Sequence, residues 1–587
     1  MNIVHYSVEL HDATSHLIQV KLTLSKVTKG QVFRLPNWIP GSYMLREFAR
    51  HIVAITANGR RDLLQKIDGN SWQLTEEAQE LVIEYRVYAY DMSVRGAHLD
   101  DSHLFFNGTS VFLEPVDFAV DQFQVTVTKP SQIFAQNWRL ATSMKRKDGQ
   151  LNYEFGEFIA HDYDELIDHP FEMGELDIAE FKAGGVLHAL VLVGEHQGDL
   201  DRICKDLSAV CAHQIEYFGE LPECVERYLF MVHVLDNGYG GLEHRSSTAL
   251  HCSYSEIIPR EQPKNDDYLN FLTLCSHEYF HTWNIKQIKP AQFLPYQLDR
   301  ESYTKQLWIF EGFTSYHEDL LLLHAGVITQ PEYLKLLSTT VSRVYRGQGR
   351  HLQSVAESSF DAWTRFYKQD ENAPNAIVSY YAKGKLVALC LDLLLRQASN
   401  NAYSIQDVMQ YLWQHFGKPQ VGLGEGQLEQ ILAQQFDFEN PEFFASAVYG
   451  TDDLPLETLL QLAGYKITWS CPESLKHLAN ESAVSVNFGA SVVAAEGGIK
   501  VLSVLEQSNA YHLGICAGDI IIALNGRQIG IGQFEARFSN FLPEETVTLH
   551  LFRRQKLKQV SGQIQASKKT NAWIEPCDQT SAKIAWL

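Results

Sequence analysis

His277-Glu278-Tyr279-Phe280-His281 is the stretch from which the rest of this chain can be read. It sits in Tyr268–Ile288, a segment without Pro or Gly and with frequent apolar residues, which predicts a helix. Helical positions i and i+4 share a face, so both imidazoles reach one ion. Glu278 lies beside that face, where it can take a proton from a water on the ion without being a ligand. Such a pattern arises by chance in about one chain of this length in twenty, so the flanking sequence has to carry weight too.

It does. Further on, Leu307-Trp308-Ile309-Phe310-Glu311-Gly312-Phe313-Thr314 places a carboxylate inside an otherwise apolar helix. A buried Glu without a partner is costly, and a metal supplies the partner. Two His and one Glu, with a fourth position left for water, form a catalytic zinc set. The expected ligands are therefore His277, His281 and Glu311, holding one Zn2+ per chain. Glu318 lies about two turns beyond Glu311 on the same face. It reads equally well as an acceptor for a ligand imidazole N–H and as a solvated helix carboxylate.

To about residue 170 the chain reads as β. Leu17 to Leu24, Val82 to Tyr90 and Phe123 to Val127 alternate apolar and polar residues between turn formers. Two more strands, Leu187 to Val193 and Leu229 to Val234, follow, and helical periodicity then dominates from about 265 to 465. His324-Ala325-Gly326 ends a helix containing Leu320 to Leu323, Leu386 to Leu395 form another, and Gly464 closes one beginning near Leu456. Near 485 short strands return: Gly498 to Val504, Ile520 to Leu524 running into Asn525-Gly526, and Val547 to Leu551. The expected order is an N-terminal β-sandwich-like domain (1–170), a mostly helical peptidase domain (171–475), a small β domain (476–565) and a C-terminal tail (566–587), a multidomain α+β chain.

The 587 residues are too many for one core. Lys and Arg total 49 against 71 Asp and Glu, a net charge of −22, which argues against nucleic acid or an anionic membrane as partner. No apolar run approaches the roughly 20 residues that span a bilayer. The N-terminus shows no signal-peptide pattern, and the nine cysteines are scattered without a C-x-x-C pair, so reduced thiols in a cytoplasmic protein are expected.

H-E-x-x-H followed by a W-x-x-E-G-F-T helix resembles the gluzincin metallopeptidases, the thermolysin-like clan that includes aminopeptidase N. Gly240-Gly241-Leu242-Glu243-His244 resembles that clan's exopeptidase motif, with Leu242 and His244 in place of Met and Asn. Tyr381-Ala382-Lys383-Gly384 resembles the segment whose tyrosine faces the substrate carbonyl. Leu35-Pro36-Asn37-Trp38-Ile39-Pro40-Gly41-Ser42-Tyr43 resembles the N-terminal hallmark of the glycyl aminopeptidase family, whose members carry a C-terminal PDZ domain. The resemblance implies a zinc aminopeptidase that prefers N-terminal Gly or Ala. Glu243 would hold the substrate ammonium by a charge-assisted hydrogen bond. Glu278 would act as general base, and Tyr381, with Tyr380 as the alternative, would donate to the oxyanion. His244 and Arg245 either line the site or form an ordinary salt bridge.

Ser508 to Gly526 resembles a PDZ domain, with Asn487-Phe488-Gly489-Ala490 near the place of the usual carboxylate loop. Such a domain binds an extended peptide as an added strand; here it could serve substrate, a partner, or a domain face. The expected partners are peptides with a free N-terminus and a peptide ligand of the PDZ domain. Two other readings stand beside the aminopeptidase: a zinc endopeptidase or other zinc hydrolase of the same architecture, which has no ammonium for Glu243 to hold, and a non-catalytic PDZ-bearing scaffold.

Overall fold

Alternation in the sequence becomes alternation in space: Leu17–Val27 buries Ile18, Val20, Leu22 and Leu24 and turns the residues between them outward. The computed structural model describes residues 2–147, 149, 151–472, 484–577 and 582–587. They divide into two compact units, the first made of Met1–Ser302, His324–Val327 and Gln410–Leu423.

The first unit begins with a seven-stranded sheet in which Ile3–Asp12 pairs antiparallel with Leu17–Val27 and parallel with Gln122–Val127. Two four-stranded sheets accompany it, and Tyr6, Val20, Tyr85, Phe106 and Phe171 belong to one continuous core. This is the β-rich N-terminal region that the alternation predicts. Next comes a five-stranded sheet in the spatial order Asp177–Ala183, Val186–Val193, Arg227–Leu235, Ser247–Ser253, Gly240–Glu243. Its three inner strands are mutually parallel, and their near-continuous burial explains why they read as apolar runs rather than alternations. Gly240–Glu243 is antiparallel to its neighbour and forms one edge. The Leu200–Phe218 helix, capped by Asp199 and ended by Gly219 at φ 88, follows the second strand.

The second unit comprises Tyr303–Leu323, Ile328–Met409 and Gly424–Leu587. Its helices include Leu307–Phe310, Gln330–Arg346, Ala382–Ala398 and Leu456–Leu462. A C-terminal sheet runs Ala490–Ala495, Gly498–Val504, Ile520–Leu524, Thr546–Arg553, Lys556–Gln563. Phe534 and Phe538 of the Ile531–Phe538 helix pack on Phe488 in its core. The expected boundary at 475/476 lies outside the described residues.

Two elements differ from expectation. The H-E-x-x-H helix runs Asp266–Phe280 and not to Ile288, because the chain turns there: Ile285 has φ 91, a strained value for a β-branched residue. The segment expected as a tail contains the strand Asn571–Pro576, antiparallel to Tyr465–Ser470. Ser342 Oγ and Ser338 Oγ accept from Ala572 N (2.8 Å) and Ile574 N (3.0 Å), and Trp586 is buried with its Nε1 donating to Tyr316 Oη at 3.1 Å. Alternation over so few residues, far in sequence from its partner strand, gave no sign of this. No helix among the described residues is long and apolar enough to cross a membrane.

Candidate active site

The Asp266–Phe280 helix starts at Asn265, whose side chain caps Tyr268 N at 2.9 Å, and carries Asp266 and Asp267 in its first turn, where the helix dipole favours acids. His277 and Glu278 lie in its last turn and His281 is its C-cap, still helical at φ −61 and ψ −17. The two imidazoles therefore keep the i, i+4 relation, with Nε2 atoms 3.0 Å apart. His281 Nδ1 lies 2.9 Å from the Asn284 carbonyl oxygen. That oxygen accepts from Nδ1–H, which leaves the Nε2 lone pair facing inward. The turn through Ile285 presents this carbonyl, and no side-chain pattern announces it.

Glu311 sits where Leu307–Phe310 gives way to Gly312–His324, buried at 2% exposure. In the first unit, ligand atoms of Glu243, Glu278 and His281 lie within 4.8 Å of one another, whereas Glu311 belongs to the second unit. Two imidazole nitrogens and a carboxylate oxygen suit zinc. So does the electrostatics, since buried carboxylates this close to one another need positive charge beside them.

Glu243 ends the edge strand Gly240–Glu243 and is buried. Two close approaches hold the surroundings in shape. Gly41, at φ 92, lies so near that a Cβ there would stand 2.5 Å from each Glu243 carboxylate oxygen. A Cβ on Gly241 would collide with the Glu278 carboxylate. The Gly41 loop is itself docked: Asn37 Nδ2 donates to the Asp299 carbonyl (3.0 Å) and Trp38 Nε1 to that of Gln297 (2.9 Å). Arg95 donates to the Gly241 carbonyl at 3.0 Å and steadies the strand. The sequence marked this loop only as a family hallmark, and its contact with Glu243 is visible only in three dimensions.

Tyr381 precedes the Ala382–Ala398 helix. Gly384 in that helix touches Gly312 closely, a Cβ on Gly312 falling 2.6 Å from Gly384 Cα, so the two motif glycines form one helix contact. Tyr381 is half-buried, stacked on Phe366 and Tyr380, with its hydroxyl 3.4 Å from that of Tyr367. Tyr380 is fully buried, and burial, then Tyr367 and Glu311, push its hydroxyl well above the ordinary range. Tyr381 is thus the better placed of the two to meet a ligand. Tyr367 escaped the sequence reading because nothing local distinguishes it.

His244 and Arg245 resolve into an ion-pair cluster. His244 Nδ1 lies 3.1 Å from Asp168 Oδ1, Arg245 Nε donates to Oδ2 at 3.2 Å and Lys286 Nζ to Oδ1 at 2.8 Å. Burial raises the Asp168 carboxyl, but Lys286, His244 and Arg245 together outweigh it and hold it well below the carboxylate range. Glu318 pairs with Lys385 Nζ at 3.3 Å.

Residues 5–175 match the model of the peptidase M61 N-terminal domain and residues 270–387 that of M61 glycyl aminopeptidase. A solved aminopeptidase N family protein from Idiomarina loihiensis is 43% identical, covering 99% of this chain and 99% of that one at a TM-score of 0.95. A solved M1 zinc metallopeptidase from Deinococcus radiodurans is 14% identical over 77% of this chain and 95% of that one, with a TM-score of 0.47. No curated protein matches. The two family matches and the 43%-identical neighbour define a peptidase. The chain belongs to the M61 glycyl aminopeptidase family.

Proposed function

We infer that this chain is a zinc-dependent aminopeptidase that removes N-terminal residues, preferably Gly or Ala, from peptides. The observation that carries the reading is the buried convergence, within the first unit, of His277 and His281 with two carboxylates, Glu278 and Glu243; His277, His281 and Glu311 are the proposed zinc ligands. When bound, zinc would polarise the scissile carbonyl and acidify the attacking water. Glu278 takes that water's proton and passes it to the leaving amine. Glu243 accepts hydrogen bonds from the substrate ammonium, and its place at the end of an edge strand supports this, since a peptide can lie along such an edge. Tyr381 donates to the carbonyl oxygen as charge develops there. The preference for Gly rests on the family description, glycyl aminopeptidase, and that for Ala on the sequence resemblance alone.

The domain order we propose is 1–170 β, 171–475 thermolysin-like peptidase, 476–565 PDZ and 566–587 C-terminal segment. The PDZ reading is supported by the strand order and by Ala490–Ala495, which forms an edge of the sheet among the described residues and offers a place for an added peptide strand. All nine cysteines are free, which supports a reducing compartment such as the cytoplasm. The test is hydrolysis of a panel of aminoacyl chromogenic amides, with and without chelator. Glycyl and alanyl amides should be cleaved fastest and only with metal present. Cleavage confined to N-blocked or internal bonds would make the protein an endopeptidase, and no cleavage with metal bound would leave a scaffold.

A further inference from the structure

A second group of buried ligand atoms lies in the first unit. His103 opens the strand His103–Phe106, Glu172 lies in Phe171–Gly174 and His233 in Arg227–Leu235. Their exposures are 2%, 0% and 3%, and one ligand atom from each lies within 4.8 Å of the others. Glu172 holds them together: Oε1 is 3.1 Å from His103 Nδ1, and Oε2 meets His233 Nε2. More imidazole surrounds them than one carboxylate needs. His98 stacks on His103 with ring centroids 4.9 Å apart, and His251 Nε2 lies 3.3 Å from His233 Nδ1. Among the described residues, no hydrogen-bond partner meets the buried ring atoms His103 Nε2 and His98 Nδ1, a costly condition. His103 and His233 also line a cavity of about 810 Å³ whose wall includes Asp100, Asp101, Glu175, Asp177 and Glu195. An acidic vestibule of this kind concentrates cations at its floor.

We propose that His103, Glu172 and His233 bind a second divalent transition-metal ion, zinc by preference, separate from the one expected on the H-E-x-x-H helix. Two imidazoles and a carboxylate on three strands form a preorganised nitrogen and oxygen donor set. The ion replaces the protons now shared between Glu172 and the two rings. Its position in the sheet lets it act as a brace. His233 is in register with His251, and His251 with Gly240. One line across the sheet therefore joins the site to the strand that ends in Glu243, and the ion steadies that strand from two positions away.

Metal stoichiometry on the full-length protein tests this without reference to turnover. Protein stripped by chelator and dialysed against excess zinc should retain two equivalents by elemental analysis. The His277→Ala/His281→Ala variant should retain one, and its Tm should rise with the logarithm of zinc concentration. Glu172→Gln in that background keeps a hydrogen-bond acceptor between the rings, so the fold survives while the remaining equivalent and the zinc-dependent Tm rise are lost. Cobalt loaded into the His277→Ala/His281→Ala variant should show the intense visible bands of a low-coordinate site. A helix-site variant that binds no zinc and whose Tm ignores zinc overturns the proposal and leaves a purely hydrogen-bonded cluster.

Discussion

Two buried histidine clusters in this chain can be set side by side. In one, His277 and His281 come from one helix, four positions apart, with two extra carboxylates, Glu243 and Glu278, crowding close. In the other, His103, Glu172 and His233 come from three strands, and the Glu172 carboxylate is already shared between the rings. A helix compresses its geometry into a short string of letters, whereas a sheet scatters the same geometry over 103, 172 and 233. The surroundings differ as well. On the proposed function, the surplus carboxylate beside the helix pair would serve a substrate cation and a moving proton, whereas the strand cluster spends its carboxylate on holding itself together.

The comparison can be broken at its strongest point first. Glu278→Gln should keep metal on the helix cluster, by elemental analysis, while turnover falls by at least about 10²–10⁴-fold, because the amide cannot accept the proton. Near-normal activity would remove the general base from this cluster. Tyr381→Phe should lower kcat far more than it raises KM, by about 3 kcal/mol of transition-state stabilisation. An unchanged kcat would shift the role to Tyr380 or away from tyrosine. Glu243→Ala sharpens the point about surplus carboxylate: wild type should favour a free glycyl amide over its N-acetylated twin by about one to two decades, the worth of a charged hydrogen bond, and the variant should lose most of that preference. Gly41→Ala has the smallest expected effect. Its new methyl meets the Glu243 carboxylate at a positive φ, so thermal unfolding should show a loss of about 1–3 kcal/mol and kinetics a raised KM for free amines. Wild-type stability and KM would show that the loop does not support Glu243.

Much of the architecture was legible because period and position agree. Leu17 to Leu24, Leu187 to Val193 and Ile520 to Leu524 each fall within a strand. Gly326 and Gly464, at φ 69 and 85, follow the helices they were read to end. The motifs named their residues but not what shapes them. The Asn284 carbonyl behind His281 depends on a backbone turn, the Gly41 contact with Glu243 joins residues far apart in the chain, and Tyr367 meets Tyr381 across a loop. The helix was read too long because apolar residues persist to Ile288, where they pack as turns: Trp283 and Ile288 are fully buried outside any helix.

The strand pair Tyr465–Ser470 and Asn571–Pro576 also bears on how the chain can be edited. Everything from 490 to 563 hangs between the two halves of a clasp, so the C-terminal β module behaves as an inserted cassette and not as an appendage. Trimming from the C-terminus would first cut the clasp, taking Trp586 from Tyr316 and Ala572 and Ile574 from the serines of the Gln330–Arg346 helix, before reaching the module at all. A graft or deletion meant to address the module alone has to enter and leave inside the clasp, where a short turn joining Ser470 to Asn571 would close an ordinary hairpin.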